Sequence, residues 1–120
     1  MEKIDRYRQI VLALIDKYAQ YRPEHVEVFK VLDHERDHYL LMRDGFWNAW
    51  RYYGCLLHLD VQDGKVWIRH DGIEEGVAEE LVERGVARED VVLGFHAPHL
   101  RYRSDFYDKL PAEKTQALAS

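Results

Sequence analysis

The dipeptide Asp63-Gly64, which stands between two stretches of alternating apolar and polar residues, is the feature that most restricts the fold of this chain. A two-residue hairpin turn of this kind needs positive φ at both positions, and Asp-Gly is one of the sequences that favour it most. We therefore predict a hairpin with strands at about 50–61 and 65–70. In this register Asp60 lies opposite Trp67, and His58 lies opposite Arg69.

Alternation along the hairpin sorts its side chains onto two faces. The apolar face is predicted to enter the core, and its members are Leu57, Leu59, Val61, Val66 and Ile68. The opposite face carries polar and aromatic side chains, which are Tyr52, Leu56, His58, Asp60, Trp67 and Arg69. The hairpin therefore presents one face to the protein interior and the other to the surroundings.

The polar face of the hairpin admits two interpretations. His58, Asp60 and Arg69 side by side can form an acid–base site, but they can equally be cross-strand polar pairs or part of a protein interface. No obvious nucleophile accompanies them, so a structural or interface role is favoured over catalysis. We predict no catalytic residues, and an interaction surface made of Tyr52, Leu56, His58, Asp60, Trp67 and Arg69.

Two amphipathic helices flank the strands. The first is predicted over 2–21, where apolar residues recur at steps of three and four, and Pro23 ends it. The second is predicted to begin at Asp71 as its N-cap, with Glu74 completing a capping box, and to end before Gly85. Residues expected in the core are Leu14, Leu57, Leu59, Ile68 and Leu81.

Further strands are predicted at 24–32 and at 38–42, the second ending before Asp44-Gly45, and 91–93 is compatible with a short last strand. In the first of them the alternation slips after Val28, which indicates either a bulge or burial on both faces. The order α-β-β-β-β-α with hairpin connections predicts an α+β fold. Its sheet is an antiparallel meander of about four strands, with the N-terminal and C-terminal helices on one face. We assign residues 1–106 to a single domain and 107–120 to a polar, mobile tail.

Charge and composition limit the function. Seventeen basic and 22 acidic residues give a net charge of -5, which disfavours tight non-specific binding to nucleic acid. The single cysteine, Cys55, is expected to be buried and inert. A charged N-terminus and the lack of long apolar runs indicate a cytoplasmic protein that does not enter a membrane.

Metal and cofactor binding find little support in the residue spacing. Among the seven histidines, His34 and His38 are four residues apart, and His96 and His99 are three apart. Four-residue spacing joins two ligands only on a helix, whereas His34 and His38 fall in a predicted turn and strand. The glycines are scattered and form no phosphate-binding loop. We therefore predict no metal and no cofactor.

Several short sequence blocks follow one another in the order and at the spacing that are typical of a known protein family. They are Glu35-Arg36-Asp37-His38-Tyr39, Tyr53-Gly54-Cys55 with His58 and Asp60, Asp63-Gly64-Lys65, Trp67-Ile68, and Val92-Leu93-Gly94-Phe95-His96. With these blocks the chain resembles the XisI family, the fdxN-element excision controlling factors, from the first helix to about Phe106. The resemblance implies a role beside a companion protein, XisH, in controlling excision of a DNA element during heterocyst differentiation. It implies no catalytic residues.

The function favoured by these observations is that of a non-enzymatic control factor that contacts a XisH-like partner and meets DNA only indirectly. Aromatic residues on the open face of the sheet further predict a homo-oligomer, most simply a two-fold dimer. Two alternatives remain open: an excision factor that binds DNA directly, and a hydrolase that uses His58 and Asp60.

Overall fold

Two helices and five strands make up the part of the chain that the structure, a computed structural model, describes, which is residues 2–21 and 23–96. In chain order they are α1 (Lys3–Ala19), β1 (Val26–Asp33), β2 (His38–Trp47), β3 (Trp50–Gln62), β4 (Lys65–Asp71), α2 (Ala78–Arg84) and β5 (Val91–Leu93). The predicted tail at 107–120 and His99 lie outside the described residues.

The sheet has the strand order β1-β2-β3-β4-β5. The first four strands form the predicted antiparallel meander, but β5 pairs parallel with β4, so the sheet is mixed. A hairpin cannot join parallel neighbours; the chain must cross over before it returns to the sheet edge. Residues 72–90, which include α2, make that crossover. The α+β class is confirmed, whereas a purely antiparallel four-stranded sheet was wrong.

The Asp63-Gly64 turn is confirmed, with φ of 54° and 74° at its two residues. Asp60 pairs with Trp67 as predicted. The predicted pairing of His58 with Arg69 was wrong, because the register shifts after His58 and sets it opposite His70. Arg69 is therefore the extra residue of a β-bulge in β4.

A second bulge lies in β3. Leu41 pairs with Leu57 and Met42 with Cys55, so Leu56 is the extra residue. Consecutive side chains at a bulge escape strict alternation, and Leu56 turns into the core beside Leu57. Every residue of β3 before the bulge consequently changes face relative to the prediction. Cys55, which was expected in the core, is partly exposed for this reason.

One hydrophobic core lies between the sheet and the helices. All five residues predicted to be buried have no exposed surface: Leu14, Leu57, Leu59, Ile68 and Leu81. Helix α1 contacts β1 to β4, and α2 contacts β5 and α1, so both helices close the same core. The removal of these aliphatic side chains from water, between the sheet and one layer of helices, supplies the main stabilisation of the fold.

Element boundaries differ from the prediction where glycines intervene. Helix α2 begins at Ala78 rather than after Asp71, because Gly76 has a φ of 80° that a helix cannot contain. The Asp71 carboxylate instead accepts bonds from the backbone N–H groups of Ile73 and Val77.

Strand β2 continues through Gly45, where an added Cβ would lie 2.9 Å from the Tyr52 ring. Strand β1 pairs with β2 without a register shift, so of the two explanations for the slip after Val28 the bulge is excluded.

Candidate functional site

Asp60 is the centre of a polar cluster on the face of the sheet opposite the helices. Its Oδ1 lies 2.8 Å from His38 Nδ1 and 2.7 Å from His58 Nε2, and its Oδ2 accepts a bond of 2.9 Å from Arg69 Nε. Sheet geometry brings these groups together. His38 is the cross-strand partner of Asp60, and His58 precedes it by two residues on the same face.

The shared oxygen fixes the proton positions of both imidazoles. A carboxylate oxygen only accepts hydrogen bonds, so His38 must carry a proton on Nδ1 and His58 must carry one on Nε2. Their rings meet edge to face with centroids 6.1 Å apart. The cluster therefore directs one N–H of each histidine at the same anion.

The Asp60 side chain is only 2% exposed, yet it is ionised. Burial favours the neutral acid, but the hydrogen bonds from His58, His38 and Arg69 outweigh that effect and bring the pKa of Asp60 to about 2. The Arg69 guanidinium supplies a permanent positive charge, so the carboxylate is not buried uncompensated.

Trp67 forms one wall of the cluster. The Arg69 guanidinium lies over the indole ring, 4.7 Å from the ring centroid. The indole Nε1 of Trp67 donates a 3.3 Å hydrogen bond to the backbone oxygen of Gln62. Trp67 is half-buried, whereas Arg69 remains exposed. Arg69 is the extra residue of the β4 bulge, and from this position its side chain reaches the Asp60 carboxylate on the neighbouring strand.

The structure divides the predicted interaction surface in two. His58, Asp60, Trp67 and Arg69 share the open face, as expected. Tyr52 and Leu56 do not join them, because the β3 bulge turns both toward the helices. They line an apolar cleft of about 450 Å³ with Tyr18 and Tyr21 at the end of α1.

An aromatic arm extends from the sheet at the β2–β3 hairpin. Pairing of β1 with β2 stops at Gly45, and pairing of β4 with β3 stops at Leu57, so beyond these points the strand ladder joins only β2 and β3. Single backbone bonds, from the Phe46 N–H to the His25 oxygen and from the Gly72 N–H to the Leu56 oxygen, tie the arm to its neighbours. Four aromatic side chains of this arm are largely exposed: Phe46, Trp47, Trp50 and Tyr53. Trp47 and Trp50 are 73% and 78% exposed and face each other across the turn.

The arm is held in a defined shape by polar contacts. Arg51 forms two hydrogen bonds, of 2.9 and 2.8 Å, with the Asp44 carboxylate on the neighbouring strand. Its guanidinium also lies 5.0 Å from the centroid of the Tyr53 ring. Asn48, with φ of 57°, supplies the left-handed residue of the turn. The exposed tryptophans therefore stand on an ordered hairpin.

Comparison with known proteins decides the family. The model of the XisI family, described as XisI protein, matches residues 1–107. The chain belongs to the XisI family. No functionally curated protein matches the sequence significantly.

Two solved structures show the same fold as this XisI-family chain. A XisI-like protein from Anabaena variabilis ATCC 29413 is 40% identical, with a TM-score of 0.79 over 86% of this chain and 96% of that one. The fdxN element excision controlling factor XisI from the same organism is 30% identical, with a TM-score of 0.77 over 90% of this chain and all of that one. Within the described residues, no helix of this family member is long and apolar enough to cross a membrane.

Sequence reasoning missed the aromatic arm and the contribution of His38. The arm was hidden because Asp44-Gly45 was interpreted as the end of a strand, although Trp47 and Trp50 flank an Asn-Ala pair that can form a tight turn. His38 was compared only with His34, its neighbour in sequence. The register between β2 and β3, which sets His38 against Asp60, was not predicted, and no spacing rule within one strand reveals it.

Proposed function

We propose that this XisI-family protein is a non-enzymatic accessory factor that controls site-specific excision of a DNA element by binding a XisH-like companion protein. The excision setting is supported by the relative named as an fdxN element excision controlling factor. We place the protein in the cytoplasm and its action in DNA recombination, in the manner expected for heterocyst differentiation.

The observation that carries the proposal is the aromatic arm. Large exposed apolar groups gathered in one place are uncommon on monomeric proteins and usually mark an interface. Tryptophan is the residue type most enriched at binding hot spots, because it buries a large area at little cost in conformational entropy. Trp47 and Trp50 are exposed on a hairpin tip that projects from the sheet, so both are accessible to a concave partner surface.

The charge distribution favours a protein partner over direct DNA contact. DNA binding depends on neutralising phosphates, and the chain carries a net charge of -5. The arm contributes one arginine, Arg51, whose guanidinium is already paired with Asp44. An aromatic surface with little uncompensated positive charge suits a protein groove better than a phosphate backbone.

The Asp60 cluster is compatible with a non-enzymatic role but does not require one. Both oxygens of Asp60 already accept hydrogen bonds, so the carboxylate is occupied by its neighbours. The second ring nitrogen of each histidine does not bind Asp60, and the hydrolase alternative would depend on that nitrogen as its general base. We favour the structural use, in which the cluster joins side chains of β2, β3 and β4 and an interface uses its outer surface.

Self-association through the open face forms part of the proposal. Val31 is 45% exposed and lies in register with Leu40, so apolar side chains of β1 and β2 share the open face with Trp67 and the polar cluster. Two such sheet faces related by a two-fold axis would cover each other's apolar side chains. Light scattering at micromolar concentration should then give twice the monomer mass, and Trp67→Ala should reduce it.

Co-purification with a XisH-like protein tests the main proposal. The double variant Trp47→Ala/Trp50→Ala should lose the companion from the eluate while keeping the wild-type melting temperature, because neither side chain enters the core. Phe95→Ala, which removes another exposed aromatic outside the arm, is the matched control and should retain the companion. Undiminished recovery with the double variant would refute the arm as the binding surface.

Two further measurements separate the alternatives. A steep decrease in DNA affinity with increasing salt in a gel-shift titration would establish direct DNA binding instead. Hydrolysis that disappears in folded His58→Ala would establish an enzyme.

A further inference from the structure

We propose that His38, His58 and Asp60 form a binding site for one divalent transition-metal ion, represented here by Zn²⁺. Each of the three residues offers one potential ligand atom, and these atoms all lie within 4.8 Å of one another. His38 Nδ1 and His58 Nε2 are the nitrogens that already contact Asp60 Oδ1. The inference rests on this geometry and does not depend on the proposed function.

The ligand set is of a kind that transition metals prefer. Two imidazole nitrogens and one carboxylate oxygen bind Zn²⁺ and Fe²⁺ in many proteins, whereas Mg²⁺ and Ca²⁺ prefer sites made wholly of oxygen. Three protein ligands leave at least one coordination position for water or for a side chain of a bound protein. That position lies on the open face of the sheet, where both histidines are partly exposed.

Movements of at most about 1.5 Å between ligand atoms separate the hydrogen-bonded cluster from a metal site, because all three atoms already lie within 4.8 Å of one another. Ligand atoms around a tetrahedral zinc ion lie about 3.3 Å apart, given bonds of roughly 2.0 Å. In the cluster each nitrogen lies 2.7–2.8 Å from Asp60 Oδ1. Each imidazole would give up the proton on its inner nitrogen and carry one on its outer nitrogen, which is the form that binds a metal.

Arg69 prepares the carboxylate for this role. It binds Oδ2 at 2.9 Å, so Oδ1 is the oxygen left facing the two imidazoles. Outer hydrogen bonds of this type orient metal-binding carboxylates in many proteins. Its positive charge also lowers the negative potential that an ion meets, so we expect weaker binding than in a structural zinc site made of cysteines.

A route for the ion is present on the surface. An open polar cleft of about 630 Å³ is lined by His38, Trp67 and Arg69 and reaches the cluster from the solvent. The three ligands come from the central strands β2 and β3, whose pairing holds them in place before any ion arrives.

Titration of the metal-free full chain with Zn²⁺ tests the proposal. Calorimetry should show one strongly bound ion per chain, and about a hundredfold excess over the dissociation constant should raise the melting temperature by roughly 10 °C. Co²⁺ should bind at the same site with the visible absorption of a nitrogen- and oxygen-ligated ion. Mg²⁺ should have no effect.

The decisive variants are His38→Gln and His58→Gln. A glutamine amide can still donate a hydrogen bond to Asp60, so the fold keeps its polar partner, but it is a poor metal ligand. Each variant should lose at least about a hundredfold in Zn²⁺ affinity, since even outer-shell changes cost ten- to hundredfold. His25→Asn, at an exposed histidine with φ of 64° that asparagine tolerates, is the matched control and should bind normally.

Several results would overturn the assignment. One is wild-type protein without a strong Zn²⁺ site. Another is unchanged affinity in both glutamine variants, and a third is loss of affinity in His25→Asn, which would attribute binding to surface histidines only.

Discussion

Replacing Asp60 by Asn should destabilise the protein strongly and in a pH-dependent manner. The pKa of Asp60 falls from 3.8 to about 2 on folding, which corresponds to about 2 kcal/mol of stabilisation of the ionised form. The Asn side chain also replaces one of the two accepting oxygens with an NH₂ group, which is itself a donor and therefore faces other donors. We therefore expect a loss of about 2–4 kcal/mol at pH 7.

The sign of the pH effect follows from the lowered pKa. Because the folded state holds Asp60 ionised below the pH at which the unfolded chain protonates it, its stabilisation is complete above about pH 4 and is lost as the pH falls through about 2. The difference in unfolding free energy between wild type and Asp60→Asn should therefore begin to shrink below about pH 5. It should shrink steadily toward pH 2.

Urea unfolding followed by tryptophan fluorescence at a series of pH values measures this difference. Asp44→Asn is the matched control, because Asp44 also forms two bonds with an arginine but lies at the exposed arm. Solvent screens that pair, so the control should lose much less stability. Equal losses in the two variants, or a loss in Asp60→Asn that does not change with pH, would refute the reasoning.

Two other substitutions test the packing around the sheet. Leu59→Ala should lower the unfolding free energy by about 2–5 kcal/mol, because Leu59 is fully buried; an unchanged urea midpoint would show that the faces of β3 are reversed. Tyr39→Phe should cost about 1–2 kcal/mol in the same assay, since it removes the 2.6 Å bond from the Tyr39 hydroxyl to Asp37 Oδ1 while Arg8 still pairs with Asp37. A loss below about 0.5 kcal/mol in Tyr39→Phe would count against that bond.

Local sequence determined the central hairpin well but not its bulges. The Asp63-Gly64 turn requires a backbone conformation that few dipeptides adopt, so the pairing of Asp60 with Trp67 followed from the sequence. The bulges at Leu56 and Arg69 are defined by the register between neighbouring strands, which alternation along one strand does not report. No residue type within β3 or β4 specifies them, so alternation failed where the register shifts.

The parallel strand β5 was beyond prediction for a related reason. Three apolar residues, Val91–Leu93, indicate a strand but not its direction. The direction of β5 depends on the path of the preceding chain, which passes through α2 and a short 3₁₀ turn (Arg88–Asp90) before it reaches the sheet edge. Tyr7 fixes that path, because its hydroxyl donates a 2.6 Å bond to Asp90 and accepts one from the Ala87 N–H.

The β3 bulge and the β4 bulge together explain why the two faces of one sheet differ so sharply. At Leu56 the extra residue turns an apolar side chain toward the helices, which extends the core and leaves Tyr52 lining the cleft beside α1. At Arg69 the extra residue adds a cation to the open face, where it neutralises a carboxylate that is otherwise too costly to bury. Without the second bulge, Asp60 would have only the two histidines as partners. Arg69 adds a partner that is always charged, and its hydrogen bond acts together with those from His58 and His38 to outweigh the cost of burying the carboxylate.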